Sequence, residues 1–158
     1  VVEYRRKRKG KTDYKHRLKM LKSSLPRLVI RPTNKNITVQ LIKYLPDGDE
    51  VTCTASSSML KKHGWTNPTS NIPAAYLTGL LCGSKAKAGE AILDTGLDNP
   101  VVGSRVYAAV AGAIEGGLKI RVDEGVLPPK ERLQGGHVNE TDYDSQIKAV
   151  KEKILKNQ

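Results

Sequence analysis

The feature that most limits how this chain can fold is where its charge sits. Residues 1–35 hold thirteen of the 27 Lys and Arg residues but only two of the 16 acids, Glu3 and Asp13. That first fifth therefore carries the whole formal charge of +11, and the remainder, with 14 residues of each sign, is neutral. Burying unpaired cations is costly, so a segment this basic must stay at the surface while a neutral body is built downstream. A solvated face is the ordinary use of a charge run. A neutral body gains little solubility from loading its excess charge on one end, so the partition favours a polyanionic partner.

The body has material for a modest core. Hydrophobic residues make up 38% of the chain, Phe is absent and Trp occurs once, so the core is expected to be aliphatic. No apolar run approaches the roughly 20 residues that cross a bilayer, and the basic start is followed by no apolar stretch of a secretory signal, so no membrane partner is expected. Cys53 and Cys82 lie far apart in sequence and read as two reduced core thiols of a cytosolic protein.

Residues 1–11 lack apolar periodicity and read as an extended arm. Thr12 or Asp13 then caps a short helix on which Tyr14, Leu18 and Leu21 form an apolar docking stripe. Leu28-Val29-Ile30 reads as a strand flanked by Arg27 and Arg31. Ile37, Val39 and Leu41, then Val51, Cys53 and Ala55, alternate with polar residues as two further strands, and the turns between them imply an antiparallel meander.

After Ser56 the period becomes helical. A short helix is expected near Met59 to Lys62. A longer one is capped by Asn71 with Pro73 in its first turn, and its small residues imply close approach to a sheet or another helix. Strands over 91–93 and 118–122 flank a helix capped by Ser104 and stopped at Gly116-Gly117. Residues 123–143 read as irregular, and Ile147, Val150 and Ile154 mark a final helix. Strands separated by helices imply parallel pairing through right-handed crossovers. The expected domains are 1–25 as basic arm and short helix, 26–135 as a globular α/β domain, and 136–158 as a C-terminal loop and helix.

Catalytic patterns are thin. His16, His63 and His137 are isolated, and neither Cys has a partner at metal-ligand spacing, so no metal and no cofactor are expected. Gly79 to Lys85 lacks the order of a phosphate loop and reads as helix packing. The alternative function is a nucleic-acid enzyme on a ribonuclease-H-like scaffold. That chemistry requires clustered carboxylates, one of them on the first strand. Here the first strand carries Arg27 and Arg31, and Asp94 stands at a strand end without an assigned partner, so the chain reads as not an enzyme.

The residues expected to meet a polyanion are Arg5, Arg6, Lys7, Arg8, Lys9 and Lys11 of the arm, with Lys15 and Arg17 of the following helix. Arg27, Arg31, Asn34 and Lys35 are expected to form a more rigid platform. Arg side chains pair with phosphates and also stack on bases. Tyr4 and Tyr14 interleave with the cations; Tyr14 fits either base stacking or helix packing.

Several segments in one colinear order carry a family resemblance: TDY at 12–14, RLKMLKS at 17–23, PRLVIRPTNKNITVQ at 26–40, GW at 64–65, NIPAAYLTGLLCG at 71–83, ILDTGL at 92–97 and GSRVYAAVAGAIEGGL at 103–118. Together they resemble the large-subunit ribosomal protein L-eighteen family in its archaeal and eukaryotic form, over about residues 4 to 135. From Gly136 onward the match is loose, and the shorter archaeal form fits better.

The resemblance implies an α/β fold: a three-layer, ribonuclease-H-like mixed sheet with helices on both faces and a basic N-terminal arm, lacking the nuclease active site. It implies a structural constituent of the large ribosomal subunit, cytoplasmic, that binds 5S rRNA and helps attach it to 23S-type large-subunit rRNA in the central protuberance, beside neighbouring ribosomal proteins. It implies RNA contacts from the basic segment, from the 26–36 strand and turn, and from Arg105, which reads equally as a first-turn surface residue. His63 and Trp65 lie in a loop the family shares, where Trp65 fits either rRNA contact or a core plug.

Overall fold

The alternating runs pair as their spacing predicts. In the computed structural model, which describes residues 2–86, 89–136 and 142–156, β1 (Arg27–Pro32), β2 (Ile37–Lys43) and β3 (Glu50–Ser56) form an antiparallel meander. β4 (Gly89–Asp94) pairs parallel to β1, and β5 (Leu118–Ile120) parallel to β4, giving a mixed five-stranded sheet in the order β3-β2-β1-β4-β5. His137 and residues 138–141 lie outside the described residues.

Leu28 and Ile30 of β1 and Ile37, Val39 and Leu41 of β2 point to one face and are buried there under α3 (Ile72–Lys85) and α4 (Arg105–Glu115). Fully burying side chains of this size stabilises by about 1.5–3 kcal/mol each. Val29, on the opposite face by the period of two, is also buried, as is Met20 of α2 (Tyr14–Leu21), which reaches over that side. The sheet therefore has helices on both faces, as the resemblance implies. α6 (Asp142–Lys156) packs on α3, and its Tyr143, Ile147, Val150 and Ile154 join the same core.

α3 is buried all round from Pro73 to Gly83. The Asn71 side chain accepts the Ala74 N–H (2.9 Å) as its cap, and the buried Thr78 hydroxyl donates to the Ala74 carbonyl (2.7 Å). The close approach its small residues predict is to α4. A Cβ on Gly79 would lie 1.9 Å from the Ala109 carbonyl oxygen, and one on Gly112 would lie 1.9 Å from that of Tyr76.

Four local expectations are corrected. The arm is not wholly extended: Arg5–Arg8 form one helical turn, α1, because the Tyr4 carbonyl accepts the N–H groups of Lys7 and Arg8. Val51 is exposed rather than inward. β3 carries an extra residue, Thr52, where Leu41 pairs with Cys53 but Ile42 with Val51, and this bulge reverses the alternation. Ser104 occupies the N-cap of α4, yet its hydroxyl makes no capping bond and, among the described residues, has no hydrogen-bond partner. The 123–143 stretch contains a 3₁₀ turn at Glu124–Val126 and a short helix, α5 (Lys130–Leu133).

Candidate nucleic-acid interface

The acidic residues organise the basic ones. Arg27 opens β1 on the face covered by α2. Its Nη1 donates to Asp94 Oδ2 at the end of β4 (2.7 Å), and its Nη2 donates to Asp49 Oδ2 in the β2–β3 turn (2.7 Å). Arg17 of α2 closes on the same Asp49 with Nη2 bonds of 2.9 and 2.8 Å. Arg31, two residues beyond Val29 on the same face, donates to Asp94 Oδ1 (3.0 Å) and to the Asp94 carbonyl (2.7 Å). The Gly96 N–H also donates to Asp94 Oδ1 (2.9 Å). Two carboxylates thus hold three guanidinium groups and the β4 exit loop in one network.

Burial alone would push the Asp94 carboxyl up. The hydrogen bonds and charge of Arg31, then Arg27, together with the Gly96 N–H, outweigh it and hold the group below the ordinary aspartate range. Asp94 therefore stays ionised as the counter-ion of the network. The nuclease alternative would need this carboxylate to hold a metal, but both of its oxygens already accept from arginine.

This network also decides how α2 docks. Asp13 caps the helix, accepting from the N–H groups of Lys15 (2.9 Å) and His16 (3.1 Å), and the His16 bond foremost holds its carboxyl below the ordinary range. Arg17 and Met20, one turn apart, face the sheet. Leu18, placed by periodicity on the docking stripe, is 59% exposed. The Arg17–Asp49 pair fixes the helix rotation, and a three-residue apolar stripe does not override it.

Arg27 is the clear correction among the expected contact residues. It is only 3% exposed, so it cannot present itself to a polyanion and acts as a brace under the surface. Arg31 remains half-exposed at the mouth of a cleft of about 670 Å³ between α2 and the β4 exit. Arg6, Lys11, His16 and Arg17 line the same cleft. Arg6 Nε donates to the Thr12 hydroxyl (2.8 Å), which folds the arm back onto α2. Arg5, Lys7, Arg8, Lys9 and Lys15 are exposed around it. Tyr14 packs on Tyr4, ring centroids 5.0 Å apart and planes tilted by 39°, leaving Tyr4 70% exposed.

A second feature lies at the far end of β1. Asn34 and Lys35 are exposed on the β1–β2 turn, which is held from several sides. Thr33 and Asn36 bond across it, and the Thr69 hydroxyl donates to the Lys35 carbonyl (2.7 Å) and to Asn36 Oδ1 (3.0 Å). Arg105 Nη1 donates to the carbonyls of Thr33 (3.2 Å) and Ser70 (3.0 Å). Arg105 is therefore a clamp beneath the turn, partly exposed, rather than a free first-turn cation. Trp65 is a core plug, 2% exposed, its Nε1 donating to the Pro68 carbonyl (3.2 Å) and its ring edge-on to Tyr143.

The sequence does not reveal Asp49, Thr69 or Thr12 as organisers. Asp49 reads only as part of a turn, and its role depends on a contact 22 residues away in the chain. The one available signal is that Asp94 ends a buried strand, where an unpaired carboxylate would be costly.

Among the described residues, no group of three or more His, Cys, Asp or Glu side chains is placed to hold a metal ion, and no helix is long and apolar enough to cross a membrane. A family model described as ribosomal large subunit proteins 60S L5 and 50S L18 matches residues 1–89, which span the arm, the meander and α3. The chain is 48% identical over 141 residues to the large ribosomal subunit protein uL18 of Methanoregula boonei, covering 87% of this chain and 81% of that protein. It is 48% identical over 149 residues to the uL18 of Haloarcula marismortui, covering 92% and 79%. It is 45% identical over 158 residues to that of Thermofilum pendens, covering 98% and 80%. With the family model spanning over half of the chain and this identity running through most of it, the chain belongs to the L5/L18 family of large-subunit ribosomal proteins, in its archaeal form.

Proposed function

We propose that this chain is a structural constituent of the large ribosomal subunit that binds 5S rRNA and helps attach it to 23S-type rRNA in the central protuberance. Neighbouring large-subunit proteins complete its surroundings, and its place is the cytoplasmic ribosome. The observation that carries this reading is the convergence of the exposed cationic arm with the fixed Arg17 and Arg31 at one cleft. Arm residues Arg5, Arg6, Lys7, Arg8, Lys9 and Lys11 neutralise phosphates. Tyr4 and Tyr14 offer ring faces to unpaired bases, as single-stranded RNA recognition uses them. Arg31, Asn34 and Lys35 provide the rigid part of the surface. Arg27 and Arg105 serve beneath it as braces.

Deleting residues 1–11 removes those six cations. Each phosphate neutralised contributes roughly 0.7–0.9 to the slope of log affinity against log salt, so the slope should fall by about 4 to 5 if all six engage. Fluorescence anisotropy with labelled 5S rRNA across a salt series measures it. An unchanged slope would remove the arm from the interface.

A further inference from the structure

The two cysteines, far apart in sequence, are brought together by the crossover from β3 to α3. Cys53 Sγ lies 3.2 Å from Cys82 Sγ and 3.6 Å from the Cys82 carbonyl oxygen, and both thiols are free. Their surroundings differ. Cys82 lies near the C-terminal end of the buried stretch of α3 and has no solvent exposure. Cys53 is half-buried on β3, the outermost strand of the sheet on that side. Cys53 is therefore the more accessible of the two.

We propose that Cys53 and Cys82 form a reversible dithiol–disulfide site, oxidised by a low-molecular-weight disulfide, with Cys53 as the attacking sulfur and Cys82 as the resolving one. Disulfide exchange proceeds through the thiolate. Once Cys53 is ionised, only the Cys82 thiol can donate across the 3.2 Å contact; that hydrogen bond lowers the Cys53 pKa to about 7, against an opposing effect of burial, and the positive charge of Lys85 acts in the same sense. The thiolate of Cys53 attacks one sulfur of the oxidant, whose S–S bond breaks to release one small thiolate and leave a mixed disulfide on Cys53. The released thiolate takes the Cys82 proton. The Cys82 sulfur then attacks Cys53, displacing the second small thiolate. The protein pair loses two electrons, and the small disulfide gains them as one thiol, protonated by Cys82, and one thiolate, which takes from solvent the equivalent of the proton Cys53 gave up on ionising. The product ties the edge strand β3 to the central helix α3 across a loop of 29 residues in sequence separation.

The test uses the full chain and oxidised glutathione as the probe. After incubation and acid quenching, intact mass spectrometry should find a species lighter than the reduced protein by two hydrogens, with both thiols lost to alkylation and no glutathione retained. Its Tm should rise by roughly 7–14 °C over the reduced form, as closure of a loop this long in a domain of this size gives. Cys82→Ser should trap glutathione on Cys53, whereas Cys53→Ser should leave Cys82 unreacted while the protein is folded. Wild-type protein that keeps both thiols, or that accumulates the mixed disulfide without resolving it, overturns the proposal, and this measurement requires no variant. Cys82 reacting as fast in Cys53→Ser as Cys53 does in the wild type would overturn the order of attack.

Discussion

Gly79→Ala should cost about 3 kcal/mol or more in urea unfolding, and enough to leave little folded protein at physiological temperature. The added Cβ would lie 1.9 Å from the Ala109 carbonyl oxygen and 2.7 Å from its carbon. These are backbone atoms of α4, so no side chain can swing aside; the two helices must part. Parting them opens the contact that buries Leu77, Leu80, Val110 and Ala113. Gly112→Ala should behave alike, since its Cβ would meet the Tyr76 carbonyl oxygen. Gly89→Ala is the control. It lies in a strand with nothing within 4 Å of the new Cβ, and should change stability by less than about 0.5 kcal/mol. The sole tryptophan, Trp65, is buried and reports the transition by fluorescence. A cost for Gly79→Ala equal to that for Gly89→Ala would contradict the packing of α3 on α4.

Asp94→Ala should lower stability by about 3–5 kcal/mol, because Arg27 would keep a buried charge with only Asp49 to answer it. The same variant should weaken RNA binding at temperatures where it remains folded, since Arg31 loses its Asp94 side-chain anchor. A double variant separates the two effects. In Arg27→Met with Asp94→Leu, apolar groups replace the buried pair, which is often neutral for stability. It should fold like the wild type and still bind RNA less tightly, because Arg31 keeps only its backbone carbonyl partners and loses the Asp94 carboxylate that fixes its outer nitrogen. Wild-type affinity in the folded double variant would show that the network serves stability alone. Titration gives the sign independently. The Asp94 carboxyl is lowered by folding, so its contribution is complete above the ordinary aspartate value, near pH 4, and is lost as pH falls through the lower folded-state value. In the double variant that portion of the acid sensitivity should vanish.

Much of the architecture is legible from the residues because two periods carry it. Alternation marks the meander, and the switch to helical spacing after Ser56 marks α3. Asn71, Pro73 and Gly116-Gly117 set helix ends by local chemistry that needs no tertiary partner. What escapes the pattern depends on long-range contacts. The bulge at Thr52 is a property of two strands together, so Val51 reads as inward and lies outward. The rotation of α2 follows an ion pair 32 residues distant, which no helical wheel contains.

The interface is legible to a similar depth. Charge partition locates the basic segment, since charge is additive and can be counted along a chain. It cannot separate Arg31 at the surface from Arg27 in the interior, because both flank the same apolar run. Their difference is made by Asp49 and Asp94, contributed by a turn and by a strand end remote in sequence. Nor can it reveal that Cys53 faces Cys82, a consequence of the β3–α3 crossover.

Competition binding separates a chosen RNA from a merely cationic surface. Labelled 5S rRNA bound to the full chain is challenged with tRNA and with duplex DNA at low and at physiological salt. Both competitors should displace it poorly, with discrimination persisting at the higher salt, where phosphate attraction alone is weakened. Equal displacement by every polyanion at equal phosphate concentration would contradict this selectivity and leave only a cationic surface without a chosen RNA.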